Sequence, residues 1–331
     1  MSVSQRAVSE DEAEIRLDRW FRRHFPTLGQ GAVQKMCRTG QIRVDGHRAE
    51  AGTRLLPGQM VRVPPLPTPP PGAPAMPAAP VPVDPRVRAE LERMILYQDE
   101  QLIVIDKPFG LPVQGGPNIA LHLDALVVAL SRDGQKPLLV HRLDRDTSGV
   151  LLLARSPGVA AKLAAGFRGR DMEKTYWALV AGRPMPPQGR IDAALVRTRD
   201  GNGARSAIAE RDDPAAARAM TDYRTLEHAA RKLSWLELRP LTGRTHQLRV
   251  HCAALGTPIV GDPKYGVMRD PTWAARVEGF AQKLHLHART LLLPHPGGGM
   301  LEVHAEPPAH MRESFTRLGF TIPSAPPPRR F

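Results

Sequence analysis

The chain has 331 residues, more than one ordinary domain needs, and its 42% apolar content supports a sizeable core built mainly of Leu, Val, Ile and Ala, since aromatics are only 5%. The balance of 46 Lys and Arg against 33 Asp and Glu gives a net charge of +13, which favours a polyanionic partner through phosphate neutralisation. Two cysteines far apart, Cys37 and Cys252, exclude a disulfide framework and a typical structural zinc site. The acidic N-terminus carries no apolar targeting region and no run reaches membrane-spanning length, so a soluble, cytoplasmic protein is expected.

In chain order, Ile15, Leu17, Trp20, Phe21 and Phe25 recur at roughly helical spacing. A second helical stretch, 32–38, runs into Gly40 as a C-terminal cap. Ile42-Arg43-Val44 is strand-like, Asp45-Gly46 signals a tight turn, and Met60–Val63 is a second strand. Arg16, Arg19, Arg22, Arg23, Lys35, Arg38 and Arg43 make this small unit, 12–63, basic. They are either a solvated helix face or a phosphate-binding surface, and the net charge of the chain favours the second.

Eleven prolines between Pro64 and Pro85 make 64–87 an extended linker, because proline-rich chain forms neither helix nor central strand. The large domain, 88–320, begins with the strand Leu102–Ile105, which ends at Lys107-Pro108. A helix is expected over 121–130, and another from Ser156-Pro157 to about Phe167. Strands are expected at 175–180, 219–226, 233–238, 284–293 and 300–304, with a helix over 245–255 closed by Gly256. The tail 321–331 reads as disordered. Strands and helices do not alternate regularly, so the expected class is α+β around a mixed or antiparallel sheet.

Residues 141–149, His-Arg-Leu-Asp-Arg-Asp-Thr-Ser-Gly, place five ionisable side chains in six positions, between the apolar segments Leu138–Val140 and Val150–Ala154. A loop held between buried strands can present a reactive carboxylate at the floor of a cleft. From the residues alone, Asp144 reads equally well as a structural salt bridge. His246 and His251 are five apart, and His285 and His287 two apart on a strand; neither spacing makes a convincing metal site. There is no Walker-type loop and no Gly-x-Gly-x-x-Gly opening a helix.

The 141–149 stretch closely resembles the catalytic motif of RluA-type pseudouridine synthases. Three further segments resemble that family's motifs in the expected order: Lys107-Pro-Phe-Gly110, Glu173–Gly182 around Tyr176, and Gly243–His251. The resemblance spans roughly 95–310, and the small basic unit resembles an S4-type RNA-binding module. It implies an enzyme that breaks the uracil N1–C1′ bond and rejoins the base through C5, with no cofactor and no metal. Asp144 would act at the ribose, as nucleophile at C1′ or as base on a sugar proton; the sequence leaves both open. Arg142 would help displace the target base, Tyr176 would lie against the uracil, and Arg249 would pair with Asp144 and favour its ionised form. Arg244 and His246 would organise the loop or contact phosphate, and Asp146 would cap the Ser148 or Gly149 amide. The implied partner is 23S ribosomal RNA, bound by a monomer away from any membrane. The implied targets are positions 955, 2504 and 2580, with the 1911, 1915 and 1917 loop as the alternative within the family. A non-catalytic RNA-binding ribosome-assembly factor is the rival from another class.

Overall fold

The computed structural model describes residues 3–25, 28–66, 84–115, 119, 121–169, 171–200, 203–230, 232–266 and 277–331. The chain forms two compact units, Met1–Val81 and Pro82–Phe331.

In the first unit, strands β1 (Ser4–Ala7), β2 (Arg43–Val44), β3 (His47–Arg48) and β4 (Met60–Val63) form an antiparallel sheet in the order β1-β4-β2-β3. Helices α1 (Leu17–His24) and α2 (Gln30–Arg38) bury Leu17, Trp20, Phe21, Val33 and Cys37 in one cluster with Ile42, Val44 and Val61. Asp45 and Gly46 both adopt positive φ, 50° and 79°, the conformation a two-residue hairpin turn requires. The unit starts earlier than residue 12, because β1 pairs along β4 from Ser4↔Val63 to Ala7↔Met60.

Most of the expected linker, 67–83, lies outside the described residues. Its C-terminal end is a helix instead, α3 (Pro85–Arg93). The Asp84 carboxylate caps it by accepting from the Arg86 amide, and Pro85 tolerates the first turn, where no amide proton is needed.

The second unit is built on one large sheet. Its strands are β5 (Ile95–Gln98), β6 (Leu102–Lys107), β7 (Leu138–Leu139), β8 (Ser148–Ala154), β9 (Glu173–Ala181), β10 (Gln188–Asp192), β13 (Met220–Ala229), β14 (Leu233–Pro240), β15 (Leu286–Pro294), β16 (Met300–His304) and β17 (Arg329–Arg330). The main path runs β10-β13-β14-β9-β15-β8-β6-β5; β7 joins β8, and β16 and β17 extend from β15. Every described pairing is antiparallel except β15 with β8, so the sheet is mixed, as expected. Strands β11 (Leu195–Asp200) and β12 (Gly203–Ile208) form a separate hairpin. The helices are α4 (Leu123–Leu126), α5 (Pro157–Arg168), α6 (Gln247–Ala254) and α7 (Ala309–Arg317).

Strand β8 is buried at every position. Leu151 and Leu153 enter one core cluster with Ile103 and Ile105, while Val150, Leu152 and Ala154 enter another with Leu102 and Val104, the alternation expected of a strand covered on both faces.

Two further expectations are corrected. The single helix over 121–130 is α4 followed by a 3-10 turn, Val127–Leu130, where consecutive β-branched valines disfavour continued α-helix. The tail is ordered: β17 pairs with β16, Pro323 O accepts from Arg289 at 2.8 Å, and the Ala325 amide donates to Glu306. Prolines lack a donor but keep their carbonyls, so Pro323 can still accept, while non-proline residues of the tail supply the other bonds.

Where β8 meets β15, Gly149 has φ 109° and faces the backbone of Ala288; a side-chain methyl there would overlap the Ala288 carbonyl. Gly149→Ala is expected to destabilise the fold by about 2–4 kcal/mol in urea unfolding, through backbone strain and overpacking. A loss under about 1 kcal/mol would contradict the account.

Candidate active site

An open cleft of about 580 Å³ in the second unit is lined by the 141–147 loop, Lys174 and Tyr176 from β9, and the 242–249 segment that starts α6. The antiparallel register of β9 with β14 and β15 places Tyr176 in this wall. Its neighbour Trp177 points to the other face, against Trp235 at 4.7 Å and Arg289 at 4.3 Å.

Asp144 keeps part of its side chain open to the cleft. Arg249 Nη1 lies 3.5 Å from its Oδ2. The rest of the Arg249 fork is engaged: Nε and Nη2 donate to Asp262 at 2.8 and 2.7 Å. Asp262 is fully buried and also accepts from the amides of Lys264, 2.8 Å, and Tyr265, 3.1 Å. Burial opposes the charge on Arg249, but the bonds from Asp262 and the fields of Asp262 and Asp144 outweigh it, and its pKa is raised.

His246 sits at the start of α6 with φ 56°, the left-handed region. Its Nε2 lies 3.8 Å from Asp144 Oδ2, and its Nδ1 is 2.7 Å from the Tyr265 hydroxyl. Burial lowers its pKa against the pull of Asp144, so the ring is neutral near pH 7. Burial, with a smaller push from Asp144, raises the Tyr176 phenol well above its ordinary value, so it stays protonated. Arg142 is exposed at the mouth and donates to Gln114 Oε1 at 2.9 Å. Arg244 is exposed and donates to the Arg218 carbonyl at 3.1 Å, while its own amide donates to Gln247 Oε1.

The loop that carries Asp144 is fastened from beneath. Lys107, fully buried, donates to the carbonyls of Pro108, Leu111 and Arg145 at 2.8, 2.9 and 2.9 Å. Burial brings its pKa down to about 8, against the opposing fields of Asp146, Asp144 and Asp106. His141 accepts from the Leu152 amide at 3.0 Å and stacks on Phe167 at 4.3 Å; burial pushes its pKa down to about 3. His287 contacts the Ala305 carbonyl through Nε2 and Ser148 Oγ through Nδ1, both at 3.0 Å. Because a carbonyl can only accept, Nε2 carries the proton and Ser148 donates to Nδ1. Asp146 does not cap the Ser148 or Gly149 amide; its carboxylate pairs with Arg145 at 3.1 Å, the nearer and stronger donor.

The structure therefore brings Asp144, Tyr176, Arg249, Arg142, Arg244 and His246 to one cleft. Asp262, Tyr265 and Gln114 complete it and were not singled out from sequence; Gly261-Asp262-Pro263 reads only as a turn. His251 and His285 are committed to internal hydrogen bonds, and among the described residues no group of three or more His, Cys, Asp or Glu side chains is placed to hold a metal. In the first unit, Arg19, Arg22, Lys35 and Arg38 are exposed. Arg16 pairs with Asp18 at 2.7 Å, Arg23 lies 3.7 Å from Glu12, and Arg43 donates to the Gly40 and Gly46 carbonyls.

Residues 101–254 match the family model described as RNA pseudouridylate synthase. A Vibrio cholerae protein named ribosomal large subunit pseudouridine synthase C is 34% identical over 94% of this chain and 95% of its own length. The chain belongs to the RluA-type RNA pseudouridine synthases. A synthase of the same name from Rickettsia bellii is 34% identical over 84% of this chain and 89% of its own. The solved structure of human RNA pseudouridylate synthase domain containing 4 superposes with a TM-score of 0.61 and 32% identity, over 72% of this chain and 98% of that one.

In this pseudouridine synthase the Arg249–Asp262 pair is the most buried charged contact of the cleft. Removing one partner of a buried pair leaves an uncompensated charge, so Asp262→Ala is expected to cost about 3–5 kcal/mol in chemical denaturation. A cost below about 1 kcal/mol would show that solvent or another side chain replaces Asp262.

Proposed function

We propose that this synthase isomerises uridine in 23S ribosomal RNA, acting as a monomer without a cofactor. The observation that carries the reading is the likeness over nearly the full length of both chains to a synthase named for the large ribosomal subunit. The preferred targets are positions 955, 2504 and 2580.

The reaction is an isomerisation. The N1–C1′ bond breaks, the base turns, C5 bonds to C1′, C5 gives up its proton and N1 gains one. Atoms and electrons balance without a redox partner or group donor. Asp144 faces the ribose, either attacking C1′ or removing a sugar proton, and Arg249 balances its charge from behind. Reaching the bond requires the nucleotide to leave its stack, at a cost of a few kcal/mol that the Arg142 guanidinium offsets by filling the vacated space. The Tyr176 ring stacks on the displaced uracil, with its phenol proton available near C5 or N1. Arg244 contacts phosphate. His246 orients Asp144 and is supported by Tyr265.

The first unit supplies affinity, as an S4-like module. Arg19, Arg22, Lys35 and Arg38 are its phosphate contacts, while Arg16, Arg23 and Arg43 divide their bonding between RNA and the module itself.

Pseudouridine mapping in ribosomal RNA from cells lacking this chain is expected to show loss at 955, 2504 and 2580. Loss at 1911, 1915 and 1917 would reassign the target, and an unchanged map with inactive purified protein would favour the non-catalytic assembly factor. Replacing Arg19, Arg22, Lys35 and Arg38 by Gln in the full chain is expected to flatten the salt dependence of RNA binding by roughly 0.7–0.9 per lost phosphate contact. An unchanged slope would remove the module from the RNA interface.

A further inference from the structure

We propose that Lys174 is a phosphate-binding residue of the active-site cleft, holding a phosphodiester beside the displaced uridine. The inference rests on the RNA-modifying reading above and adds to it a contact with the RNA backbone inside the cleft.

Lys174 lies two residues before Tyr176 on β9, so both side chains stand on the same face of the sheet, and both line the cleft. Its flanking residues Glu173 and Thr175 point to the opposite face, into a separate depression with Trp177 and Arg289. The residue is partly buried, yet among the described residues no carboxylate and no carbonyl accepts from its ammonium group. Its charged end faces an aromatic ring: Nζ lies 6.0 Å from the centre of Phe167, on which the neutral imidazole of His141 stacks. Burial lowers the Lys174 pKa, with no acidic neighbour to restore it.

The contrast with Lys107 is informative. Both lysines are withdrawn from water, but Lys107 meets three carbonyls and has a structural task. Lys174 is withdrawn from water without a carboxylate partner among the described residues, and a cation–π contact at 6.0 Å replaces only a small part of the lost hydration. A desolvated cation in a cleft that must take a polyanion is matched by phosphate. Phe167 and His141 line the same cleft, and the apolar ring beside the ammonium lowers the local polarity and strengthens a contact with an anion.

The test uses the full chain and an RNA fragment that the wild-type protein demonstrably converts. Binding is measured across a salt series for the wild type, Lys174→Gln and Lys174→Arg, with single-turnover pseudouridine formation and thermal melting on each. For Lys174→Gln the account predicts roughly three- to tenfold weaker binding and a salt slope shallower by about 0.7–0.9, one phosphate contact. Lys174→Arg restores the slope. Weaker binding with an unchanged slope would show that Lys174 touches the base rather than a phosphate, and would overturn the proposal. So would a fall in melting temperature with slope and affinity intact, the mark of a packing role. Wild-type protein that converts no large-subunit RNA would instead overturn the substrate reading, independently of Lys174.

Discussion

A single buried guanidinium serves two carboxylates in this cleft, and the arrangement of the site follows from how it divides itself between them. Arg249 gives its Nε and Nη2 to Asp262 at 2.8 and 2.7 Å and leaves Nη1 for Asp144 at 3.5 Å. The two-pronged bond fixes the plane of the guanidinium, which a lysine could not do. Asp262 in turn is anchored by backbone amides, so orientation passes from the main chain through Asp262 and Arg249 to Asp144. The looser pair suits the reactive role proposed for Asp144: the carboxylate is balanced electrically but not locked into a short bond.

The same economy of movement governs the loop itself. Its carbonyl at Arg145 receives both the Lys107 ammonium and the Gly110 amide, its start is held by His141 on Leu152, and its end by Ser148 on His287. Gly149 allows β8 to run beside β15 without a side chain between them. Buried histidines and a buried lysine are costly unless hydrogen-bonded, and each of these is. They fix the position of Asp144, as the chemistry proposed for it at C1′ requires.

Much of this was readable in advance, and the limits have physical causes. The 141–149 motif with its apolar flanks lines the cleft; from the residues alone Asp144 read equally as a salt bridge, and the family resemblance singled it out. Strand β4 and β16 appear with the bounds their patterns suggest, since alternation and β-branched residues are strong local signals. Asp262 and Tyr265 were not legible: a lone Asp in a turn acquires meaning only when α6 brings Arg249 to it. Helix α3 was hidden by the proline count around it, and the ordered tail by the same proline bias, because its bonds are to residues 289, 300 and 306, far away in sequence. Lys174 lies inside the Glu173–Gly182 motif, but its isolation from acids is a property of the folded cleft.

In the proposed mechanism Asp144 performs the chemistry while Arg249 and its support only present it. Single-turnover conversion of uridine to pseudouridine by Asp144→Asn, at enzyme concentrations that saturate RNA binding, tests this most directly. Asparagine keeps the shape of the side chain and one acceptor oxygen for Arg249, but it carries no charge and can neither attack C1′ nor take a proton as a carboxylate does. The account predicts RNA binding close to the wild type and a rate reduced by at least roughly a thousandfold, the scale of losing an essential nucleophile or base. A rate within tenfold of the wild type would contradict it.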